Sequence, residues 1–303
     1  MSSSPIWVSE ARTSERCGAW GPGRAPAEIE QEDIAMPEAT INGVRLRYEM
    51  TGNPPGAAGL PLVFLNGIAM SIAHWKSVID LLPSGVCTLC HDMRGQTLSE
   101  KPAGPYSLAQ HADDLAGLMD AVGIERAIVI GTSYGAEVGM EFAIRYAERC
   151  ASLVLIDGVS ECDPLLRAIV ESWMAAAMCD PRVFYKTILP WNYSPAFIEA
   201  QKEMLAAREE GVARLPKEWF DAFVELCRAF LEIDLTPRLG LVRCPTAVLV
   251  GEKDILKHRG FAEIIVRGIR GATLEVIPGA GHAVVIEQPA PIAEAIWKAV
   301  LSR

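Results

Sequence analysis

The sequence lacks any uninterrupted apolar stretch of about 18 residues, so no membrane-spanning helix is predicted. Its first 36 residues, "MSSSPIWVSEARTSERCGAWGPGRAPAEIEQEDIA" and then Met36, also lack the apolar run of about 7 to 15 residues that a secretory signal needs. They are rich in small, polar and turn-forming residues, and a flexible N-terminal arm is expected over 1–36. Basic residues are in deficit: 28 Lys and Arg stand against 38 Asp and Glu, for a net charge of −10. Because those cations are scattered, phosphate-backbone binding is excluded and no nucleic-acid partner is expected. Histidine is scarce too, with five in the chain. No His and carboxylate cluster has metal-ligand spacing, so neither a metal nor an organic cofactor is implied. The eight cysteines (17, 87, 90, 150, 162, 179, 227 and 244) fall at irregular intervals unlike a disulfide framework, and reduced thiols in a cytoplasmic protein are expected. Cys87 and Cys90 have redox-motif spacing, but "GVCTLCHDM" reads as a buried strand whose side chains three apart face opposite sides. There is no internal repeat and no low-complexity tract.

What is present is a globular composition, with half the 303 residues hydrophobic and 22% charged. That is enough chain for one elaborate domain or a domain with an insertion. "ATINGVRLRYEMTG" places two alternating runs around Asn42-Gly43, a strong hairpin signal because both turn residues must tolerate positive φ. "LPLVFLNG" then reads as a strand buried on both faces. Helix, strand and helix follow in "AHWKSVIDLLPS", "GVCTLCHDMRG" and "SLAQHADDLAGLMDAVGI". The alternation continues with strand "RAIVIGTS", helix "YGAEVGMEFAIRYAERC" and strand "ASLVLIDG". Such alternation predicts an α/β fold with a mostly parallel sheet covered on both faces, and a site at the carboxyl ends of its strands.

From about 159 to 239 the pattern becomes helical and rich in large apolar residues, with no strand candidate. Strands resume in "CPTAVLVGEKD" and "ATLEVIPG", with helices near 260–269 and 290–302. The core is therefore expected over 37–158 and 240–303, with 159–239 inserted as a helical cap or lid. Trp173, Trp191, Tyr193 and Phe223 in that segment are candidates for lining a substrate pocket, although such residues mostly form a core of their own.

"AIVIGTSYGAEVGM" runs from a buried strand through Gly-x-Ser-x-Gly into a helix. A sharp turn there pushes Ser133 above the sheet edge, and it demands small neighbours two residues away, which Gly131 and Gly135 supply. The helix beginning at Tyr134 aims free N–H groups and its positive dipole end at the same spot. A base is needed, and His282 in "PGAGH", just after the last strand, is better placed than His74, His91, His111 or His258. Asp254 in "VLVGEKD" can hold its imidazole, and Asp157 in "LVLIDG" is the rival acid. Asp92 and Arg94 read as ties within the fourth-strand loop.

Taken together, "NGI" after the third strand, "DMRGQTLS" after the fourth, "GTSYG" at the elbow, "GEKD" and "GAGHAVVIEQP" resemble the α/β-hydrolase superfamily over roughly residues 37–303. The resemblance implies an eight-stranded, mostly parallel sheet flanked by helices, with an inserted cap. It also implies Ser133 as nucleophile, His282 as general base and acid, Asp254 as its orienter, and the N–H groups of Ile68 and Tyr134 as an oxyanion hole, with Asn66 and Gly67 supporting the Ile68 loop. Three departures stand out: Asn66-Gly67 where many relatives have His-Gly, Gln96-Thr97 where they have His-Gly, and Ala136 for a further Gly. Elbow aspartate enzymes such as haloalkane dehalogenases and epoxide hydrolases are excluded by Ser133.

The implied chemistry is acyl transfer through an acyl-enzyme on Ser133, with a rate that rises as an imidazole base loses its proton. A small carboxylic ester or lactone with an apolar portion is the expected substrate. Cleavage of a carbon–carbon bond, thioester hydrolysis and acyl transfer are alternatives on the same fold, and a slow-turnover ligand receptor or scaffold is the alternative of another class.

Overall fold

The computed structural model of the protein describes residues 37–57 and 59–301. The expected N-terminal arm and Cys17 lie outside the described residues. Eight strands form one sheet in the order β1-β2-β4-β3-β5-β6-β7-β8. They are β1 (Glu38–Ile41), β2 (Val44–Thr51), β3 (Leu62–Leu65), β4 (Thr88–His91), β5 (Ala127–Thr132), β6 (Cys150–Ile156), β7 (Thr246–Gly251) and β8 (Thr273–Ile277). β1 and β2 are antiparallel, joined by Asn42 (φ 48°) and Gly43 (φ 80°), the left-handed pair that hairpin twist requires. β2 pairs antiparallel with β4, and every later pairing is parallel. In β3, β5 and β6 every residue is buried, as expected of strands covered on both faces.

Helices α2 (Leu108–Ala121) and α3 (Tyr134–Arg145) cover one face, and α11 (Pro289–Leu301) packs on the other. Ser107 caps α2 by accepting the Gln110 N–H, which satisfies one of the free donors of the first turn. The helix expected in "AHWKSVIDLLPS" is shorter than its pattern, with a 3-10 turn at Ile72–Trp75 running into the single turn α1 (Lys76–Ile79). Pro83 explains the early stop, because it donates no N–H and disfavours helical geometry at Leu82.

Between β6 and β7 lie α4 (Pro164–Ala177), α5 (Pro181–Asn192), α6 (Pro195–Ala200), α7 (Lys202–Val212) and α8 (Lys217–Leu231). Asp163, Asp180 and Ser194 cap three of them, each with Pro at the following position, where its missing N–H costs nothing. Phe184, Trp219, Phe220 and Phe223 pack edge to face and stacked at centroid distances of 4.7–6.0 Å. A single antiparallel bridge between Glu161 and Asp234 closes the neck of this segment, a strand contact that its helical pattern did not suggest. α9 (Arg259–Gly268) and the short α10 (Val284–Glu287) complete the chain. No helix among the described residues is long and apolar enough to cross a membrane.

Candidate active site

Ser133 follows β5 directly and caps α3 at φ 51°, ψ −120°, a backbone conformation that L residues rarely adopt and that persists only where its surroundings impose it. Its own N–H is held by the Ile156 carbonyl at 2.8 Å, and its carbonyl accepts the Ala136 N–H at 2.8 Å. The two elbow glycines answer to close approach. A Cβ on Gly131 would overlap the Gly135 carbonyl, and one on Gly135 would overlap the Leu65 carbonyl at the end of β3.

The structure brings Ser133, His282 and Asp254 together across 149 and 28 positions of sequence, with His282 Nε2 3.0 Å from Ser133 Oγ and Nδ1 2.8 Å from Asp254 Oδ2. Asp254 Oδ1 accepts the N–H groups of Leu256 and Lys257, each at 2.8 Å. Burial alone would raise the Asp254 carboxyl, but the His282 charge and hydrogen bond, with the two backbone donors, hold it below the usual carboxylate range. Asp157, the rival acid, sits at φ 49° at the end of β6 and does not reach the imidazole by a hydrogen bond; its Oδ1 accepts the Gly251 N–H at 2.8 Å. One oxygen each of Asp157 and Asp254 and a ring nitrogen of His282 lie within 4.8 Å of one another. Within this group the atoms His282 Nδ1 and Asp254 Oδ2 are already spent on each other in a direct hydrogen bond.

Gly67 lies against the elbow at Ser133, since a Cβ there would stand 3.2 Å from Ser133 Cβ. Among the described residues, neither the Ile68 N–H nor the Tyr134 N–H is spent on an acceptor in a turn, loop or cap. The Gly67 carbonyl, the other end of the Ile68 peptide, accepts the Gln96 side-chain amide at 2.9 Å and the Met70 N–H at 3.2 Å. Asn66 is fully buried: its amide donates to Asp92 Oδ1 at 3.0 Å, and its oxygen accepts the Trp75 indole at 2.8 Å. Asp92 also accepts the Ile72 and Leu98 N–H groups, while burial pushes its carboxyl up to about 6 against those bonds. Arg94 forms a buried two-point pair with Asp114 at 2.5 and 2.8 Å. Asp92 therefore ties this loop to the end of β4, while Arg94 ties the segment after β4 to α2.

The four candidate lining residues separate. Phe223 is buried among Phe184 and Trp219 and borders a small cleft with Ala69, Met70, Gln96 and Thr97, beside the Ile68 loop. Trp173 is buried in the main apolar cluster, and Trp191 packs half-buried against it. Tyr193 stacks on Phe197 at 5.1 Å and accepts a hydrogen bond from Arg208. The other histidines sit elsewhere. Burial lowers His74 and His91 to about 4 and His111 to about 3, so all three stay neutral at ordinary pH.

Two features went unread in the sequence. Lys257 places its ammonium 3.0 and 2.9 Å from the two oxygens of Glu137 on α3, both side chains being buried, and 4.6 Å from the centre of the Phe230 ring on α8. Glu137 also accepts the Val159 N–H at 2.8 Å. The available signal was a charge four residues after Ser133, in the apolar first turns of the helix behind the elbow, where a buried charge needs a partner. The second feature is a clamp on the histidine loop. The Ala283 N–H donates to Asn192 O at 2.7 Å, and Ser194 donates its N–H and hydroxyl to Glu287 at 2.9 and 2.6 Å.

This elbow, on this sheet order, defines the class: the chain belongs to the alpha/beta hydrolase family, whose sequence pattern matches residues 62–295. Among particular proteins, it is 28% identical over 271 residues to "Putative carbamate hydrolase RutD" of Caulobacter sp. strain K31, covering 88% of this chain and 97% of that one. It is 26% identical over 269 residues to 3-oxoadipate enol-lactonase 2 of Acinetobacter baylyi, covering 87% and 96%. Among solved structures, a thermophilic esterase from Thermogutta terrifontis superposes with a TM-score of 0.75 at 26% identity, covering 87% of this chain and 97% of that one.

Proposed function

We propose that the protein is a serine hydrolase that cleaves a small carboxylic ester or lactone through an acyl-enzyme on Ser133. The carrying observation is the continuous path from Ser133 Oγ through the His282 ring to Asp254, at 3.0 and 2.8 Å, at a strained elbow. In this reading His282 Nε2 takes the hydroxyl proton as Oγ attacks the carbonyl carbon, and Asp254 stabilises the imidazolium that forms. The oxyanion settles on the unspent N–H groups of Ile68 and Tyr134, donors of a kind typically worth about 3 kcal/mol each. His282 then returns the proton to the departing alcohol. Water repeats the attack on the acyl-enzyme and regenerates Ser133. The helices over 159–239 act as the cap in this reading, with Phe223 against the substrate's apolar portion. The names of the relatives, a carbamate hydrolase, an enol-lactonase and an esterase, support carbonyl substrates with an oxygen or nitrogen leaving group.

The test is fluorophosphonate labelling together with a panel of chromogenic esters, lactones, thioesters and carbamates, run on wild type and Ser133→Ala. Labelling and turnover in the wild type, both lost in the variant, are expected; the loss in turnover should reach about 10⁴-fold or more. Equal ligand binding in both proteins with no turnover in either would overturn the hydrolase reading in favour of a receptor.

A further inference from the structure

Asp157 has no role in the scheme above, yet it lies against the acid that does. It is 1% exposed, its Oδ1 has one donor, the Gly251 N–H, and among the described residues its buried Oδ2 has no N–H or hydroxyl partner. Asp254, by contrast, takes three donors, from Leu256, Lys257 and His282. Two charged carboxylates cannot share a dry pocket cheaply, so one of them carries a proton, and it rests on the oxygen that no donor serves. We propose that Asp157 is a neutral carboxylic acid whose hydroxyl donates to the Asp254 carboxylate, making it a positioning residue that extends the relay from Ser133 to a fourth side chain. This inference rests on the serine hydrolase reading for its consequence, but not for the protonation itself.

The surrounding charges agree. From the loop after β7, Asp254 and the Lys257 ammonium face Asp157; from the loop after β8, His282 does; from α3, Glu137 stands behind Lys257. Burial and then the Asp254 charge push the Asp157 carboxyl well above the usual range, and Lys257 only partly opposes them. Asp157 holds its side chain against the Gly251 N–H from a positive φ, a conformation that Asp and Asn tolerate better than other side chains.

Asp157→Asn tests this, because an amide copies a neutral acid: it keeps the acceptor for Gly251 and a donor for Asp254. Asp157→Leu, which has no donor for Asp254, should lower kcat for an ester about tenfold with KM nearly unchanged, and Asp157→Asn should recover most of that loss with the pH at which rate rises the same as in wild type. Infrared spectra of the resting protein should lose one protonated-carboxyl band in the asparagine variant, and wild type titrated from pH 5 to 9 should keep that band. Holding a proton against rising pH burdens the native state, so the variant's gain in Tm should grow by about 2 °C per pH unit between pH 5 and 8. If Asp157 is instead ionised, the amide removes a negative charge beside His282. The rate limb then moves down by about half a unit or more and no infrared band disappears, which overturns the inference. The infrared and thermal measurements need no turnover. Loss of the band in a protein that cleaves no ester therefore refutes the hydrolase reading while supporting the neutral Asp157.

Discussion

Replacing Lys257 with Met, which keeps an unbranched apolar side chain but removes the ammonium from both Glu137 and the face of Phe230, tests what that buried charge contributes. The partner, Glu137, has no exposed surface and would keep one neutral donor, the Val159 N–H. A carboxylate cannot stay charged there, so it takes a proton. The limit on that cost is set by water: about 1.4 kcal/mol for each pH unit above the unfolded value near 4.3, or about 4 kcal/mol at pH 7.5. Burial already holds the Glu137 carboxyl above its ordinary range against the pull of Lys257, so part of this burden exists in the native protein. The expected loss is about 3 kcal/mol. Its sign with pH follows from the raised folded value: the penalty is absent below the unfolded value and grows as pH rises towards the folded one, so it should shrink to about 1 kcal/mol at pH 5. Urea unfolding followed by tryptophan fluorescence at both pH values measures this, and a cycle with Glu137→Gln should give a coupling of about 2 kcal/mol. A deficit below about 1 kcal/mol at pH 7.5, or one that deepens on acidification, would refute the reasoning.

Gln96→Leu removes the amide that fixes the Gly67–Ile68 peptide, so kcat for an ester should fall about tenfold with KM nearly unchanged; an equal rise in KM instead would place Gln96 in ground-state binding. Gly135→Ala sets a methyl against the Leu65 carbonyl, and the elbow cannot close without moving β3. It should lower Tm by about 5 °C or more and abolish fluorophosphonate labelling, whereas Ala136→Gly, one residue on, should retain labelling.

The order of strands and helices was legible because each strand carries its own period and each turn its own chemistry, as Asn42-Gly43 and the Gly131–Gly135 elbow illustrate. The meeting of Ser133, His282 and Asp254 was legible because all three follow strands at the same edge of one sheet. What stayed hidden depends on partners distant in sequence. Glu137 finds Lys257 120 positions away, and nothing in "YGAEVGMEFAIR" identifies that cation. Gln96 was read as a departure from a motif, whereas its amide hydrogen-bonds the peptide of the Ile68 loop. The expected helix at "AHWKSVIDLLPS" misled because apolar spacing extends past the point where Pro83 stops the backbone. Asp157 looked like a competitor for the imidazole, since strand position alone cannot reveal which carboxylate collects the donors.

The link between Asn192–Ser194 and the loop carrying His282 has a mechanical result. If, as proposed, the helices over 159–239 roof the site and His282 is its base, both are fastened at the same stitch, and whatever tilts the roof over an incoming molecule also tilts the imidazole. Substitutions far out on α5 or α6 should thus register in proton-transfer behaviour before they alter which molecules fit.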